Sequence, residues 1–450
     1  MNSLTRIAAA LAVSICWIGG PAIAAVSADE AAKLKSDLTP LGAEKAGNKD
    51  GSIPAWTGGY TKVPPGYKSG QPRPDPFADE KPLFTITAAN MAQYSDKLDE
   101  GQQHLLKKFP DYKLHVYRTH RTAAAPQWVY DETFKNATRA RLDGDAVAGA
   151  YGGIPFPIAK SGAEMIWNHS LRVRPPAYKQ AFRTYTVDTK GTASIASGAI
   201  NEVSVPYYTK GLSPEEIAKD GGAYYKNLQS TLEPSIRAGE MLLYYDQFDN
   251  TRPAWQYLVG QRRVRRAPTI CCDTPNFVAS GVDFFDQVFV WFGPSTNYDW
   301  KIVGKREMLI PYNANRLVAT KSGEAMAKNF VNPEFVRWEL HRVWEVEGTV
   351  RAGKRDVRPK RKLYLDEDTY IAAIGNTWDS QGTLWHTSYG FPFVEYELPA
   401  VGQETYTTLD LIKGTYSYTT VGDLSAQIEM LEPWPASYYT PDSLSRKGVR

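Results

Sequence analysis

The sequence predicts a mainly β protein with additional helices, an α+β fold in which helices lie on one face of a large antiparallel sheet. Three observations predict it. Residues 338–347 alternate apolar and polar side chains, and this period of two is typical of a half-buried strand. Aromatic residues make up 12% of the 450 residues, and they favour strands. Short segments with helix-capping sequences, placed between the strand patterns, indicate the helices.

The N-terminus has the three parts of an export signal. Arg6 supplies a basic residue, residues 7–19 form an apolar stretch, and Ala22-Ile23-Ala24 is a small-x-small cleavage sequence. The apolar stretch is shorter than the roughly 20 residues that a membrane-spanning helix needs. We therefore predict a cleaved signal peptide at residues 1–24 and a single soluble domain at residues 25–450. The domain would be periplasmic and could associate with the outer membrane.

A short helix is predicted from Ala28 to Leu38, and a Gly- and Pro-rich arm follows at about residues 39–82. This composition excludes a regular helix or a central strand from the arm. Because the arm also contains aromatic residues such as Trp56 and Tyr67, we expect it to pack across the rest of the protein.

Helical and extended patterns alternate after the arm. Ser161 with Glu164 and Ser213 with Glu216 form capping boxes, which predict two short helices. A helix is also expected at residues 87–109, before Pro110. Extended segments are predicted at residues 112–117, 127–140, 181–205 (with breaks at 190–191 and 197–198), 241–245, 254–264 and 301–311. Residues 421–431 fit either a strand or a short helix.

The segment from Arg337 to Glu397 is rich in tryptophan and predicts three strands with turns at residues 366–368 and 379–382. In the first strand the apolar face carries one polar residue, Arg342. We expect this face to bind an apolar ligand, with Arg342 as its polar anchor; the alternative is plain core packing. The expected ligand-binding residues are Trp338, Leu340, Arg342, Trp344 and Val346. The opposite face, with Glu339, His341, Glu345 and Glu347, is expected to be solvated.

A cluster of four arginines occupies residues 262–266. Strand alternation would put Arg262 and Arg266 on one face and Arg263 and Arg265 on the other. The functional interpretation is contact with an anionic headgroup or an acidic partner surface. The alternative is a strand whose arginines are neutralised by salt bridges.

The sequence contains no convincing catalytic or metal-binding motif. No pair of the six histidines has the spacing of a zinc site, and no nucleophile elbow or phosphate-binding loop occurs. His169, on the helix after Ser161, could be a general base or could hydrogen-bond to a strand. The adjacent Cys271 and Cys272 could be free thiols or a redox-labile bridge. We predict no metal, no cofactor and, with a net charge of only +3, no nucleic-acid partner.

Several long motifs resemble a secreted Gram-negative family of unknown function that is described as outer-membrane-lipoprotein-sorting-like. The resemblance extends over essentially the whole mature chain. The motifs are LTPLGAEKAGNKDGSIPAWTGG, YGGIPFPIAKSGAEMIWNH, YLVGQRRVRRAP, WKIVGKREMLIPYN, LHRVWEVEGTV and YYTPDSLSRKGVR.

The resemblance implies a large curved antiparallel sheet that forms a half-open barrel, with helices on its concave face, similar to the LolA/LolB lipoprotein carriers. It also implies an RND-type membrane exporter as a partner and only peripheral or transient membrane contact. We therefore expect a periplasmic carrier for a lipid, a lipoprotein acyl chain or a similar ligand. The alternatives are a non-catalytic accessory subunit of an envelope complex and, less favoured, a secreted hydrolase.

Overall fold

One open sheet of 16 strands organises the protein, for which we describe a computed structural model. The structure describes residues 26–268, 270–424 and 427–448, so the expected signal peptide lies outside it. Most neighbouring strands are antiparallel; β12 and β2 pair in parallel at Trp338 and Val116. The strands are β1 Phe84–Ile86, β2 Leu114–Val116, β3 Arg141–Asp143, β4 Ala146–Ala148, β5 Ala177–Val187, β6 Ala193–Ser204, β7 Ala223–Glu233, β8 Met241–Gln247, β9 Ala254–Leu258, β10 Arg263–Arg266, β11 Tyr298–Pro311, β12 Trp338–Val350, β13 Lys360–Asp366, β14 Ala372–Trp378, β15 Leu384–Gly390, β16 Phe393–Glu395, β17 Ala400–Gly402, β18 Tyr406–Asp410, β19 Thr415–Thr420 and β20 Ile428–Met430.

The strand order shows that the sheet is not closed into a barrel. It runs β1-β2-β12-β13-β14-β15-β18-β19-β5-β6-β7-β8-β9-β10, with β11 paired to β12 and β20 paired to β5. Within the described residues, β1 and β10 stand at opposite ends of this order and do not pair. The mainly β architecture with an open sheet confirms the predicted fold class. Two small hairpins, β3–β4 and β16–β17, lie outside the sheet.

Helices cover both faces of the sheet, and not one face as the sequence predicted. On β13, Leu363 and Leu365 join the apolar cluster that contains α4, whereas Tyr364 between them joins the cluster that contains Leu105 of α2. Because successive strand residues point to opposite faces, α4 and α2 lie on opposite sides. The helices are α1 Ala28–Ala32, α2 Glu100–Lys108, α3 Gln127–Arg139, α4 Gly162–Ser170, α5 Pro214–Lys219, α6 Asn315–Ala319, α7 Ser322–Ala325 and α8 Pro441–Gly448.

Both predicted capping boxes form. The hydroxyl of Ser161 accepts the Glu164 N–H, and the Glu164 carboxylate accepts the Ser161 N–H at the start of α4. Ser213 and Glu216 make the same pair of bonds at the start of α5. The predicted helix at residues 87–109 is divided into a 3-10 segment, Met91–Lys97, and α2, because Asp99 caps a new helix.

The prediction of an extended segment at residues 127–140 was wrong, because these residues form α3. Its buried side chains, Val129, Thr133, Asn136 and Ala137, recur at helical spacing. Asn136 is polar, and its amide is satisfied by the carbonyl oxygens of Tyr151 and Ile154. Burial of a polar residue on the helix face concealed the helical pattern.

Two other boundaries differ from the sequence prediction, and one open alternative is decided. The strand expected at residues 254–264 is a hairpin, in which residues 259–262 turn the chain and Arg262 adopts a φ of 48°. Residues 197–198 do not break β6, which continues to Ser204. At residues 421–431 the strand alternative holds, as β20.

Candidate functional site

The five predicted ligand-binding residues of β12 do not form one open face. Trp338 is 3% exposed and packs edge-to-face on Tyr389, in the cluster that contains α2. Val346 is fully buried in the cluster that contains α4. Leu340 and Trp344 are half-buried. The expected apolar face is thus divided. Trp338 and Val346 lie in two separate parts of the core, and Leu340 and Trp344 between them are partly accessible.

Arg342 contacts the N-terminal arm. Its Nη1 donates a hydrogen bond of 3.0 Å to the Ala46 carbonyl, and its guanidinium lies 3.7 Å from Glu44 and 3.9 Å from Glu367. Within residues 39–82 the structure contains no regular helix or strand, and Trp56 Nε1 donates to the Ala123 carbonyl at 2.8 Å. The arm is therefore held against the body by specific polar contacts.

The polar face of β12 was expected to be solvated, but Glu339, His341 and Glu345 on it are all buried. Glu339 is 0% exposed and His341 is 1% exposed. His341 Nε2 lies 3.2 Å from Glu339, and its Nδ1 lies 3.6 Å from Asp366. Glu339 also pairs with Arg337. The prediction failed because burial of these local ion pairs also requires partners from other parts of the chain, Asp366 for His341 and Asn313 for Glu339.

Charges and hydrogen bonds set the pKa values in this network. Burial alone would raise the pKa of Glu339, but the hydrogen bond from His341 and the charge of Arg337 lower it. Burial, reinforced by the charge of Asp368, raises the pKa of Asp366 to about 6. The network therefore contains one stabilised carboxylate and one carboxyl group that resists ionisation.

A metal ion does not fit this network well. Ligand atoms of His341, Asp366 and Asp368 lie within 4.8 Å of one another. However, Arg121 donates to both oxygens of Asp368, at 2.9 and 2.6 Å. A guanidinium group thus already neutralises the carboxylate that a cation would need.

His169 has the geometry of a structural cross-link. It is 1% exposed on α4, its Nε2 lies 2.8 Å from the Trp291 carbonyl oxygen, and its Nδ1 lies 3.1 Å from the Ala372 N–H at the start of β14. Burial and then the charge of Arg172 hold its pKa well below the usual value. Both ring nitrogens are occupied by backbone groups, so no ring nitrogen is left to act as a general base.

An apolar groove of about 530 Å³ lies at the β1–β2–β12 edge of the sheet and was not anticipated from the sequence. Leu340 is the one predicted ligand-binding residue that lines it. Leu83 and Phe84 are 63% and 37% exposed there, and Phe84 stacks on Tyr94 at a ring distance of 5.0 Å. The lining residues are Asp50, Gly51, Ser52, Pro54, Leu83, Phe84, Tyr94, Lys97, Val116, Tyr117, Arg118, Thr119, Leu309 and Leu340.

Three charged residues stand in the lining of the groove, the acidic Asp50 and the basic Lys97 and Arg118. Lys97 lies 3.5 Å from Glu307, a contact that solvent weakens. Arg118 is exposed, and among the described residues no carboxylate lies within 4.0 Å of its guanidinium. The lining therefore combines apolar walls with a net positive charge.

Segments distant in sequence assemble the groove. Asn48 donates to Glu307 at 3.1 Å, and Arg121 donates to the carbonyl oxygens of Glu44 and Pro54 at 2.7 and 3.3 Å. These contacts fix the arm residues that form one wall. The signal that sequence analysis could have used is the apolar pair Leu83-Phe84, which directly follows the arm.

The four arginines of residues 262–266 are all exposed on the β9–β10 hairpin. The expected alternation fails at Arg262, because this residue lies in the turn. No salt bridge to a described carboxylate neutralises any of the four within 4.0 Å. Arg266 instead lies 5.9 Å from the Trp255 ring.

Two further features bear on the sequence predictions. The sulfurs of Cys271 and Cys272 are bonded in the structure, with Cα atoms 3.7 Å apart. In the part of the chain that is described, no helix combines the length and apolar character needed to cross a bilayer.

Comparisons with known proteins identify relatives over nearly the full length. The family model described as "protein of unknown function (DUF1329)" matches residues 85–445. The uncharacterized protein PA3922 of Pseudomonas aeruginosa is 38% identical over 442 residues, which are 95% of each chain.

Solved structures give weaker matches. A putative outer membrane lipoprotein-sorting protein domain from Vibrio parahaemolyticus aligns with a TM-score of 0.41 and 13% identity, over 60% of this chain and 92% of that one. A DUF1329 family protein from Desulfovibrio piger aligns with a TM-score of 0.39 and 11% identity, over 60% of this chain and 92% of that one. The LolA superfamily protein NE2245 from Nitrosomonas europaea aligns with a TM-score of 0.38 and 11% identity, over 63% of this chain and 100% of that one.

Proposed function

Because the chain belongs to the DUF1329 family, whose function is unknown, its activity has to be argued from its own geometry, and we propose that it carries a hydrophobic ligand. The observation that supports this proposal is the apolar groove next to Leu340. Its volume of about 530 Å³ lies within the range of roughly 300–1,000 Å³ that is typical of small-molecule sites.

The size of the groove is sufficient for useful affinity. Each methylene group removed from water contributes about 0.8 kcal/mol, so ten methylenes of an acyl chain would contribute roughly 8 kcal/mol. Association costs at least about 4 kcal/mol in lost motion, which leaves a net affinity suited to reversible transfer. Lys97 and Arg118 would favour an acidic headgroup over a neutral one.

The residues of β12 would then have different roles. Leu340 would touch the ligand directly, and Trp338 would support the wall from behind. Arg342 would act indirectly, by holding Ala46 and with it the arm that closes the groove. Trp344 and Val346 lie in or against the other cluster and would contribute packing.

We place this carrier in the periplasm, on the basis of the export signal at residues 1–24 and the family resemblance. A partnership with an RND-type membrane exporter rests on that resemblance alone. Affinity capture from solubilised envelopes would test it. Recovery of a partner by protein that carries no ligand would favour the accessory-subunit alternative.

The ligand proposal is tested by binding of a fluorescent fatty acid to delipidated protein. Leu83→Asp places a carboxylate in the groove and should weaken binding at least tenfold, because the acyl chain would then contact a charge. Ile412→Asp is the matched control, since Ile412 is 54% exposed but lies outside the groove. No binding to the wild-type protein, or equal losses in both variants, would overturn the proposal.

A further inference from the structure

Two hairpin turns, β7–β8 and β9–β10, meet at one end of the sheet, and the β5–β6 turn projects on the same side but farther along the strands. Glu233 pairs with Gly198, which aligns the β7–β8 hairpin with the β5–β6 hairpin. A methyl group placed on Gly239 would lie 3.1 Å from Val259 Cγ2, so the β7–β8 and β9–β10 turns are in contact. The three turns are residues 188–192, 234–240 and 259–262.

These hairpins expose large aliphatic side chains at or near their turns. Ile236 is 92% exposed, Leu232 53%, Val259 43% and Ile195 42%. Isoleucine, leucine and valine are among the residues most often buried in folded proteins. Ile236 and Val259 lie on the two turns that are in contact and form a protruding apolar tip that requires an explanation.

The same end is strongly basic. Arg262 and Arg263 lie in and just after the β9–β10 turn, and Arg265 and Arg266 follow along β10, all exposed. Nearby carboxylates are already neutralised: Glu233 pairs with Arg183 at 2.7 Å, and Glu240 pairs with Arg237 at 3.0 Å. The charge of the four hairpin arginines is therefore available to an external partner.

We propose that this end of the molecule, the tip formed by Leu232, Ile236, Val259 and the four arginines, docks on an anionic phospholipid bilayer. Ile236 and Val259 enter the interfacial layer, and the arginines bind lipid phosphates. The inference is independent of the carrier proposal, since the groove lies at the opposite end of the strand order and shares no residue with the tip.

The shape of the tip favours a lipid surface over an acidic protein. A single isoleucine that protrudes from a convex turn needs a deformable apolar medium or a complementary pocket, and a bilayer supplies the medium without any pocket. Arginine side chains spread over two adjacent turns and a strand match a two-dimensional array of phosphates. Each arginine near an anionic membrane strengthens partitioning about fivefold.

The test is flotation of the mature chain with vesicles of phosphatidylcholine containing 30% phosphatidylglycerol, compared with pure phosphatidylcholine. We expect binding to the anionic vesicles alone. Arg262→Gln/Arg263→Gln should lower the partition coefficient by roughly 25-fold. The matched control is Lys354→Gln/Arg355→Gln, an exposed pair in the β12–β13 turn, which should bind like the wild type.

A second pair of variants tests insertion of the tip. Ile236→Asp should weaken vesicle binding about tenfold, whereas Ile236→Trp should strengthen it, because tryptophan prefers the membrane interface. Both variants are compared at a thermal unfolding temperature equal to that of the wild type, so that exposure of the core by misfolding does not account for a gain in binding. Absence of wild-type binding to the anionic vesicles, equal losses in the control pair, or unchanged binding of both Ile236 variants would overturn the proposal. The proposal would also be overturned if the Arg262→Gln/Arg263→Gln variant lost an acidic protein partner but still bound the vesicles.

Discussion

The two ends of the strand order protect the sheet edge in different ways. At the β1–β2–β12 end, the arm and the 3-10 segment Met91–Lys97 cover the strands, and buried ion pairs such as Arg121–Asp368 hold the cover in place. At the β9–β10 end, the strands are short and carry exposed arginines. Both devices prevent edge-to-edge pairing. The arm leaves a groove where it does not pack closely against the strands, whereas the exposed arginines leave the other edge open to solvent.

The largest contrast in stability should come from one tryptophan at each end. Trp338→Ala removes a fully buried ring and should lower the free energy of unfolding by about 3–5 kcal/mol. Trp255→Ala, on β9, removes a half-buried ring that packs on Tyr245 and should cost only about 1–2 kcal/mol. Urea denaturation measures both values. Equal losses would show that the two ends are packed alike.

The stability of the end that the arm covers should also depend on pH. Burial, and then the charge of Glu100, raises the pKa of Asp99 to about 7 in the folded protein. In the unfolded chain it is about 4. The folded state therefore binds more protons between pH 4 and 7, and the stability contributed by this group falls as the pH rises through that window.

Asp99→Asn removes this titration at the N-cap of α2. The stability of the variant relative to the wild type should rise from pH 4 to pH 7, by at most about 4 kcal/mol. Urea denaturation at several pH values measures the difference. A difference that stays constant over this range would contradict the burial argument.

The smallest expected contrast involves two glycines. In Gly101→Ala the new methyl group would overlap Thr387 Oγ1 and approach Thr387 Cβ to 2.7 Å, which should displace α2 from the sheet at a cost of about 1–3 kcal/mol. Gly260, in the β9–β10 turn, has no atom within 4 Å of that position. Gly260→Ala should be neutral or stabilise by up to about 1 kcal/mol. Thermal unfolding measures the change in stability of both variants, and equal changes would remove the contrast between the two glycine sites.

The sequence predicted features that depend on local spacing. The alternation in β12 and the serine–glutamate pairs before α4 and α5 are contained within a few residues, so they could be recognised without tertiary information. In α3 the local signal was misleading, because Asn136 is buried at a helical position and its partners Tyr151 and Ile154 follow about 15 residues later.

The groove could not be predicted because its walls come from six separate regions of the chain. Leu340 was selected for its strand face, yet what makes it accessible is the path of the arm at residues 50–54 and the position of Tyr94. Likewise, Glu339 and His341 were expected in solvent because their partners, Arg337 apart, are distant in sequence. The arginine cluster was recognisable but the hairpin that carries it was not, and its neighbour Ile236 became relevant only through the contact between turns.

The central claim is that the groove holds an apolar ligand, and photocrosslinking tests it most directly. Delipidated protein is loaded with a diazirine-bearing fatty acid, irradiated and digested. The account predicts labelling of peptides that contain residues 83–97, Leu309 or Leu340, and suppression of that labelling by an excess of unlabelled fatty acid. Labelling that is absent, that resists competition, or that falls mainly on peptides outside the groove lining would contradict it.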